Sequence, residues 1–142
     1  MKEKFIIKIR EFNRFYTDFL GSLNKKVLSS KFSLPEARVL FEIRNITDCT
    51  AKDIVNALNI DKSYLSRILK SFHKKKLIIK ERSSEDARNY YLVLSEHGKK
   101  ELLKLESDVN RRISSLYEGL TESERNILEQ SMQQIRKVLS GK

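Results

Sequence analysis

Apolar residues repeat at helical spacing along nearly all of the 142-residue chain, and the period changes only once, between Leu77 and Leu94. That single interruption is the tightest constraint on the fold. Phe5, Ile9, Phe12, Tyr16, Phe19 and Leu23 alternate in steps of four and three, which traces one face of a long helix. Ser33-Leu34-Pro35-Glu36 has the pattern of a capping box, with Ser33 accepting from a free amide and Glu36 reaching back. A second helix then runs through Val39, Leu40 and Ile43. Thr50 to Asp53 opens a short third helix with Ile54, Val55 and Leu58 inward. Asp61 caps a fourth, from about Lys62 to Lys75, which buries Leu65, Ile68, Leu69 and Phe72.

At Leu77-Ile78-Ile79 and again at Tyr90 to Leu94 the pattern becomes that of short strands, separated by the charged stretch Lys80–Asn89. The spacing predicts a β-hairpin with a long loop. Helical spacing resumes near Ser95 with Leu102, Leu105, Val109, Ile113 and Leu116. A second capping box, Thr121 to Glu124, starts a last helix with Ile127, Leu128, Ile135 and Val138. Four Gly and one Pro in the whole chain leave little room for linkers. The expected fold class is mainly α with a small β-hairpin, in the order four helices, hairpin, two helices.

Function enters through charge. The chain carries 29 Lys+Arg against 19 Asp+Glu, and residues 50–95 alone hold 10 basic and 5 acidic side chains. A basic protein draws polyanions, and nucleic acid is the commonest one inside cells. Two short helices joined by Asn59-Ile60-Asp61 have the spacing of a helix-turn-helix. The outward face of the second helix must then be polar and free of acid, because it enters a groove walled by phosphates. Lys62, Ser63, Tyr64, Ser66, Arg67 and Lys70 fill that face, and no carboxylate occurs between Asp61 and Glu81. An ordinary solvated helix mixes both signs of charge. Arg67 is the expected base reader, since a guanidinium matches guanine O6 and N7 in bidentate fashion. Lys70, Lys74 and Lys75 are expected at phosphates.

The hairpin loop supplies Arg82, Asp86 and Arg88. An arginine at a hairpin tip can enter the narrow minor groove, and Asp86 stands two residues away to hold the Arg88 guanidinium. A solvated turn has the same composition.

Asp86-Ala87-Arg88, followed by Leu92-Val93-Leu94-Ser95 and Gly98, resembles the wing of the multiple-antibiotic-resistance regulator (MarR) family of winged helix-turn-helix proteins. Leu34 through Ile43, Thr50 to Ile54 and Ser63 to Leu69 fit the family's upstream order. Phe12 to Thr17, Phe32 to Leu34 with Glu36 to Leu40, and Tyr64 to Arg67 are similar to a subgroup often fused to an acetyltransferase domain. The chain ends before such a domain would begin, so no acetyltransferase activity is expected. The resemblance covers essentially the whole chain. It implies a homodimer, with residues 1–32 and 96–142 as dimerisation helices and 33–95 as a DNA-binding lobe whose wing spans 77–94. Leu23, Leu116, Ile127, Ile135 and Val138 are the interface candidates.

It also implies double-stranded DNA as partner, a pseudo-palindromic operator and, as in many relatives, a small aromatic effector. Phe12, Tyr16, Phe41 and Tyr117 are candidates to line the effector's space, or are plain core. One departure stands out: where the family often has Gly before the first wing strand, this chain has Lys76.

No enzyme frame is legible. His73, His97 and Cys49 are too scattered for a zinc site, no Gly-rich phosphate loop precedes a helix, and neither cofactor nor metal is expected. No apolar run approaches the roughly 18 residues of a membrane span. A single cysteine fits a reducing cytoplasm, and Cys49 reads as a structural thiol more readily than as a redox switch. Both histidines read as surface residues. The competing readings are a nonspecific architectural or RNA-binding protein and the regulatory half of a larger acetyltransferase.

Overall fold

The structure, a computed structural model, describes residues 2–28, 30–83, 85 and 90–141, and for residues 22–28 the backbone alone. In chain order the elements are α1 (Lys2–Leu28), α2 (Leu34–Asn45), α3 (Ala51–Leu58), α4 (Lys62–Lys74), β1 (Ile78–Arg82), β2 (Tyr90–Leu94), α5 (Glu96–Tyr117) and α6 (Glu122–Ser140). Four helices, one antiparallel hairpin and two helices is the order the apolar period predicts. Backbone contacts divide the chain into two compact units, residues 1–110 and 111–142, and the boundary falls within α5.

The first unit holds the core. Phe32, Val39, Leu40 and Ile43 meet Ile54 of α3, Leu65, Ile68 and Phe72 of α4, Leu92 and Leu94 of β2, and Leu102 and Leu105 of α5. Apart from Phe32, which precedes α2, each comes from the inward stripe of its helix or the inward side of its strand, so burial follows periodicity. Phe32 and Phe72 meet edge to face at 6.4 Å. The hairpin runs in register from Ile78 opposite Leu94 to Arg82 opposite Tyr90. β1 thus takes in Lys80, Glu81 and Arg82, which sequence alone places in the loop, while Leu77 lies before the strand. Beyond the hairpin, the Leu92 amide donates to the Cys49 carbonyl at 2.7 Å, which fastens β2 to the segment entering α3.

The caps are mostly those expected. Thr50 and Asp53 bond reciprocally, as do Thr121 and Glu124, and Asp61 accepts from the Tyr64 amide at 3.0 Å. The α2 box forms only in part. Ser33 accepts from the Glu36 amide at 3.3 Å, but Oε2 of Glu36 is buried without a hydrogen-bond partner, so the predicted return bond to Ser33 is not the one that fills it.

The end of α4 explains the missing glycine. Lys76 has φ 57°, in the left-handed region. Its amide donates to the His73 carbonyl at 3.0 Å and the Leu77 amide to that of Phe72 at 2.9 Å, the paired bonds of a Schellman motif. A lysine therefore occupies the position where a glycine is cheapest. The Leu77 carbonyl next accepts from the Ser95 amide at 2.9 Å. Ser95 Oγ donates to the Lys76 carbonyl at 2.6 Å and accepts from the Gly98 amide at 2.9 Å, so Ser95 caps α5. Gly98 packs directly on Leu77: a Cβ there would stand 2.0 Å from the carbonyl oxygen. The last turn of α4 and the first turn of α5 are thus clasped through one peptide.

The second unit contains the end of α5 and α6. No side chain of α6 is buried; Ile127, Ile135 and Val138 are exposed and Leu128 half-buried. In the first unit α1 likewise leaves Phe5, Ile9 and Phe12 exposed. The Leu23 side chain lies outside the described residues.

Candidate nucleic-acid interface

Asn59 ends α3 with φ 48°, an αL cap of the kind Asn tolerates, and Asp61 immediately caps α4. The three-residue turn therefore comes from two local preferences placed back to back. Burial of Leu65 and Ile68 fixes the rotation of α4 about its axis and turns Lys62, Ser63, Tyr64, Ser66, Arg67 and Lys70 to solvent. All six expected contact residues of this helix lie on one exposed surface. Asp61 stands at the start of this face, and its carboxylate is engaged by the Tyr64 amide. Arg67 lies over the Tyr64 ring, its guanidinium carbon 5.7 Å from the centroid. Arg82 is exposed at the end of β1. Asp86 and Arg88 lie outside the described residues.

Two further residues join this surface that sequence reasoning does not single out. Lys80, on β1, shares with Lys62 and Lys70 the lining of a cavity of about 460 Å³ whose floor is Leu65 and Leu69. Its Nζ also lies 5.8 Å from the Tyr90 ring centroid. The strand register, which pairs Lys80 with Leu92, is what brings it there. His73 lines the same cavity. It is half-buried, not a surface residue, and its Nε2 is buried without a hydrogen-bond partner. Burial, and after it the nearby Lys80 charge, lowers its pKa, disfavouring the charged imidazolium. His97 is exposed as expected.

The four aromatic effector candidates occupy different places. Phe12 and Tyr16 stack on α1 with centroids 5.5 Å apart. Phe41 lines a cavity of about 430 Å³ between α2 and α5, with Leu34, Ala37, Leu102 and Val109 as apolar wall and Arg38, Glu42 and Glu106 as polar groups. Tyr117 belongs to the second unit and lines a cavity there with Arg111 and Arg125. Beside the Phe41 cavity, Arg44 holds Glu106 in a bidentate pair, both contacts 2.6 Å, and stacks 4.9 Å over the Phe41 ring. The hydrogen bonds from Arg44 pull the Glu106 carboxyl below its usual range.

Cys49 is 1% exposed, and burial, reinforced by the charges of Asp53 and Glu42, pushes its thiol up to about 11. Among the described residues no three His, Cys, Asp or Glu side chains gather to hold a metal ion. No helix among them is long and apolar enough to cross a membrane.

Residues 30–89 match the model of the MarR family. The fold resembles solved structures over most of the chain. Wild-type MarR from E. coli, in its apo form, is 20% identical with a TM-score of 0.74 and covers 89% of this chain and 94% of its own. A point mutant of MepR from S. aureus is 19% identical with a TM-score of 0.78, over 92% of this chain and 96% of its own. BpsR of Bordetella bronchiseptica, whose DNA binding is regulated by 6-hydroxynicotinic acid, is 19% identical with a TM-score of 0.66, over 89% and 90%. No curated protein sequence matches. Residues 30–89 thus match the MarR family model, and the chain has the fold seen in the solved structures of MarR and MepR.

Proposed function

We propose that this protein is a sequence-specific transcription regulator that binds double-stranded DNA as a homodimer, laying α4 in the major groove and the hairpin loop in the adjacent minor groove. The observation that carries this reading is the outward face of α4: six exposed basic or hydrogen-bonding side chains with no carboxylate among them. Arg67 reads a base edge, Lys62 and Lys70 neutralise phosphates, Ser63 and Ser66 bond near the helix start with Tyr64 beside them on the same face, and Arg82, Asp86 and Arg88 serve the wing. The MarR-family match over residues 30–89 supports the same assignment.

Dimerisation is supported by the apolar side chains that α1 and α6 each leave exposed, a load that soluble monomers rarely carry as contiguous patches. A twofold dimer calls for a pseudo-palindromic operator with half-sites about 34 Å apart. Repression is the expected output. A small aromatic effector would take the Phe41 cavity, with Phe12, Tyr16 and Tyr117 as further candidates; 6-hydroxynicotinic acid, the regulator of BpsR, is a first compound to try. The subgroup resemblance to acetyltransferase fusions gains no support from the comparisons, and no enzymatic role is assigned.

Selection of bound sequences from random duplex DNA tests the reading. A specific regulator enriches one symmetric site and holds it at least about 10³-fold over bulk competitor. Enrichment of no site, with equal binding to all duplexes, would favour a nonspecific architectural protein. A monomer by sedimentation would remove the dimer.

A further inference from the structure

We propose that Tyr64 is a positioning residue for base readout, holding the Arg67 guanidinium in the pose that contacts the base. The proposal rests on the reading above, that α4 enters the major groove. Arginine reads guanine through two N–H groups in one plane, so the guanidinium must arrive with that plane set. In many proteins a nearby carboxylate does this. Here none is available on the face between Asp61 and Glu81, and one would spend two of the five N–H donors and repel phosphate. A ring beneath the cation orients it and leaves its in-plane donors free.

The geometry supplies that ring. Tyr64 and Arg67 stand three residues apart, neighbours on a helix surface. The guanidinium carbon lies 5.7 Å from the ring centroid, within cation–π reach. The Tyr64 backbone is held: its amide donates to Asp61 at 3.0 Å, and the buried Leu65 next to it pins the helix. Tyr64 therefore fixes one base pair without touching it.

The test compares binding-site selections by the unsubstituted chain and three variants, Arg67→Ala, Tyr64→Leu and Tyr64→Phe, together with the double variant Tyr64→Leu/Arg67→Ala. Leucine keeps apolar bulk and helix propensity but has no π face, whereas phenylalanine keeps the face and loses the hydroxyl. Tyr64→Leu is expected to relax preference by about two- to fivefold, the worth of an exposed cation–π contact, at the base pair that Arg67→Ala relaxes. Tyr64→Phe keeps the wild-type preference there, and the double variant loses no more at that pair than Arg67→Ala. Relaxation at a different base pair, an equal loss on all sequences, or a Tyr64→Phe defect as large as that of Tyr64→Leu overturns the proposal, since the ring or its hydroxyl would then make its own contact. If Arg67→Ala changes preference nowhere, the groove reading itself fails, and Tyr64 with it.

Discussion

Replacing Gly98 by alanine probes the clasp between α4 and α5. The new methyl would stand 2.0 Å from the Leu77 carbonyl oxygen, where contacts below 3.0 Å are essentially never seen, so the two backbones must part by at least 1 Å. Neither can yield freely. Leu77 is held by the hydrogen bond its amide donates to the Phe72 carbonyl and by the one its carbonyl accepts from the Ser95 amide, and Gly98 by Ser95 Oγ. Overpacking of this kind costs about 1–3 kcal/mol. Loss of the Ser95–Leu77 and Gly98–Ser95 bonds adds about 1 kcal/mol each. Alanine's better helix propensity returns about 1 kcal/mol. The net is a destabilisation of about 2–4 kcal/mol, which for a chain of this length lowers Tm by roughly 6–15 °C. Circular dichroism melts and urea titrations at one fixed protein concentration measure it, because the proposed dimer would make Tm depend on concentration. A midpoint equal to or above that of the wild type would refute the close approach and the reasoning built on it.

Lys76→Gly should act in the opposite direction, adding about 0.5–1 kcal/mol by relieving the left-handed backbone; an unchanged or lower Tm would count against the Schellman assignment. Glu106 has a depressed pKa through Arg44, so its contribution is complete above the ordinary carboxylate range and is lost as pH falls through the lowered value. Glu106→Gln should therefore cost at most about 1 kcal/mol near neutrality, given solvent screening, and nothing at strongly acid pH; equal losses at both would exclude the ion pair as the cause. Cys49 should resist a thiol reagent such as dithionitrobenzoate at neutral pH until the chain is unfolded, since the thiol is buried and held protonated; rapid labelling of the native protein would contradict this. Lys70→Ala should weaken binding on all duplexes alike and lower the slope of affinity against salt by about one, and a change confined to one base pair would reassign Lys70 as a reader.

Sequence makes the local features of this fold legible and leaves the long-range ones hidden. Thr50 with Asp53, Asp61, and Thr121 with Glu124 announce their helices because a cap is settled within four residues. The inward stripe of α4 is equally plain, and its outward face follows by subtraction. The Glu36 return bond is less secure, since a long side chain can turn from its cap toward tertiary surroundings, and Oε2 ends buried. His73 looks like a surface residue from its lysine neighbours, yet its burial is decided by β1, which packs on α4. Lys80 is hidden for a related reason, because strand length depends on the pairing of β1 with β2 and not on composition. The tie between Leu92 and Cys49 joins residues 43 positions apart, which no window of sequence displays. Departure from the family glycine at Lys76 is visible in the sequence, but only the φ of 57° says what it costs.

The run without acids from Lys62 to Lys80 has a thermodynamic consequence for the unliganded protein. Seven like charges and no internal counter-charge repel one another whenever the polyanion is absent, so this lobe carries an electrostatic strain that solvent ions relieve. If the protein binds DNA as proposed, added salt works in two directions at once, tightening the free fold while loosening its grip on a duplex, whose released counterions have a smaller entropy to gain. On that reading, ionic strength sets a trade between a protein that lasts and a protein that holds.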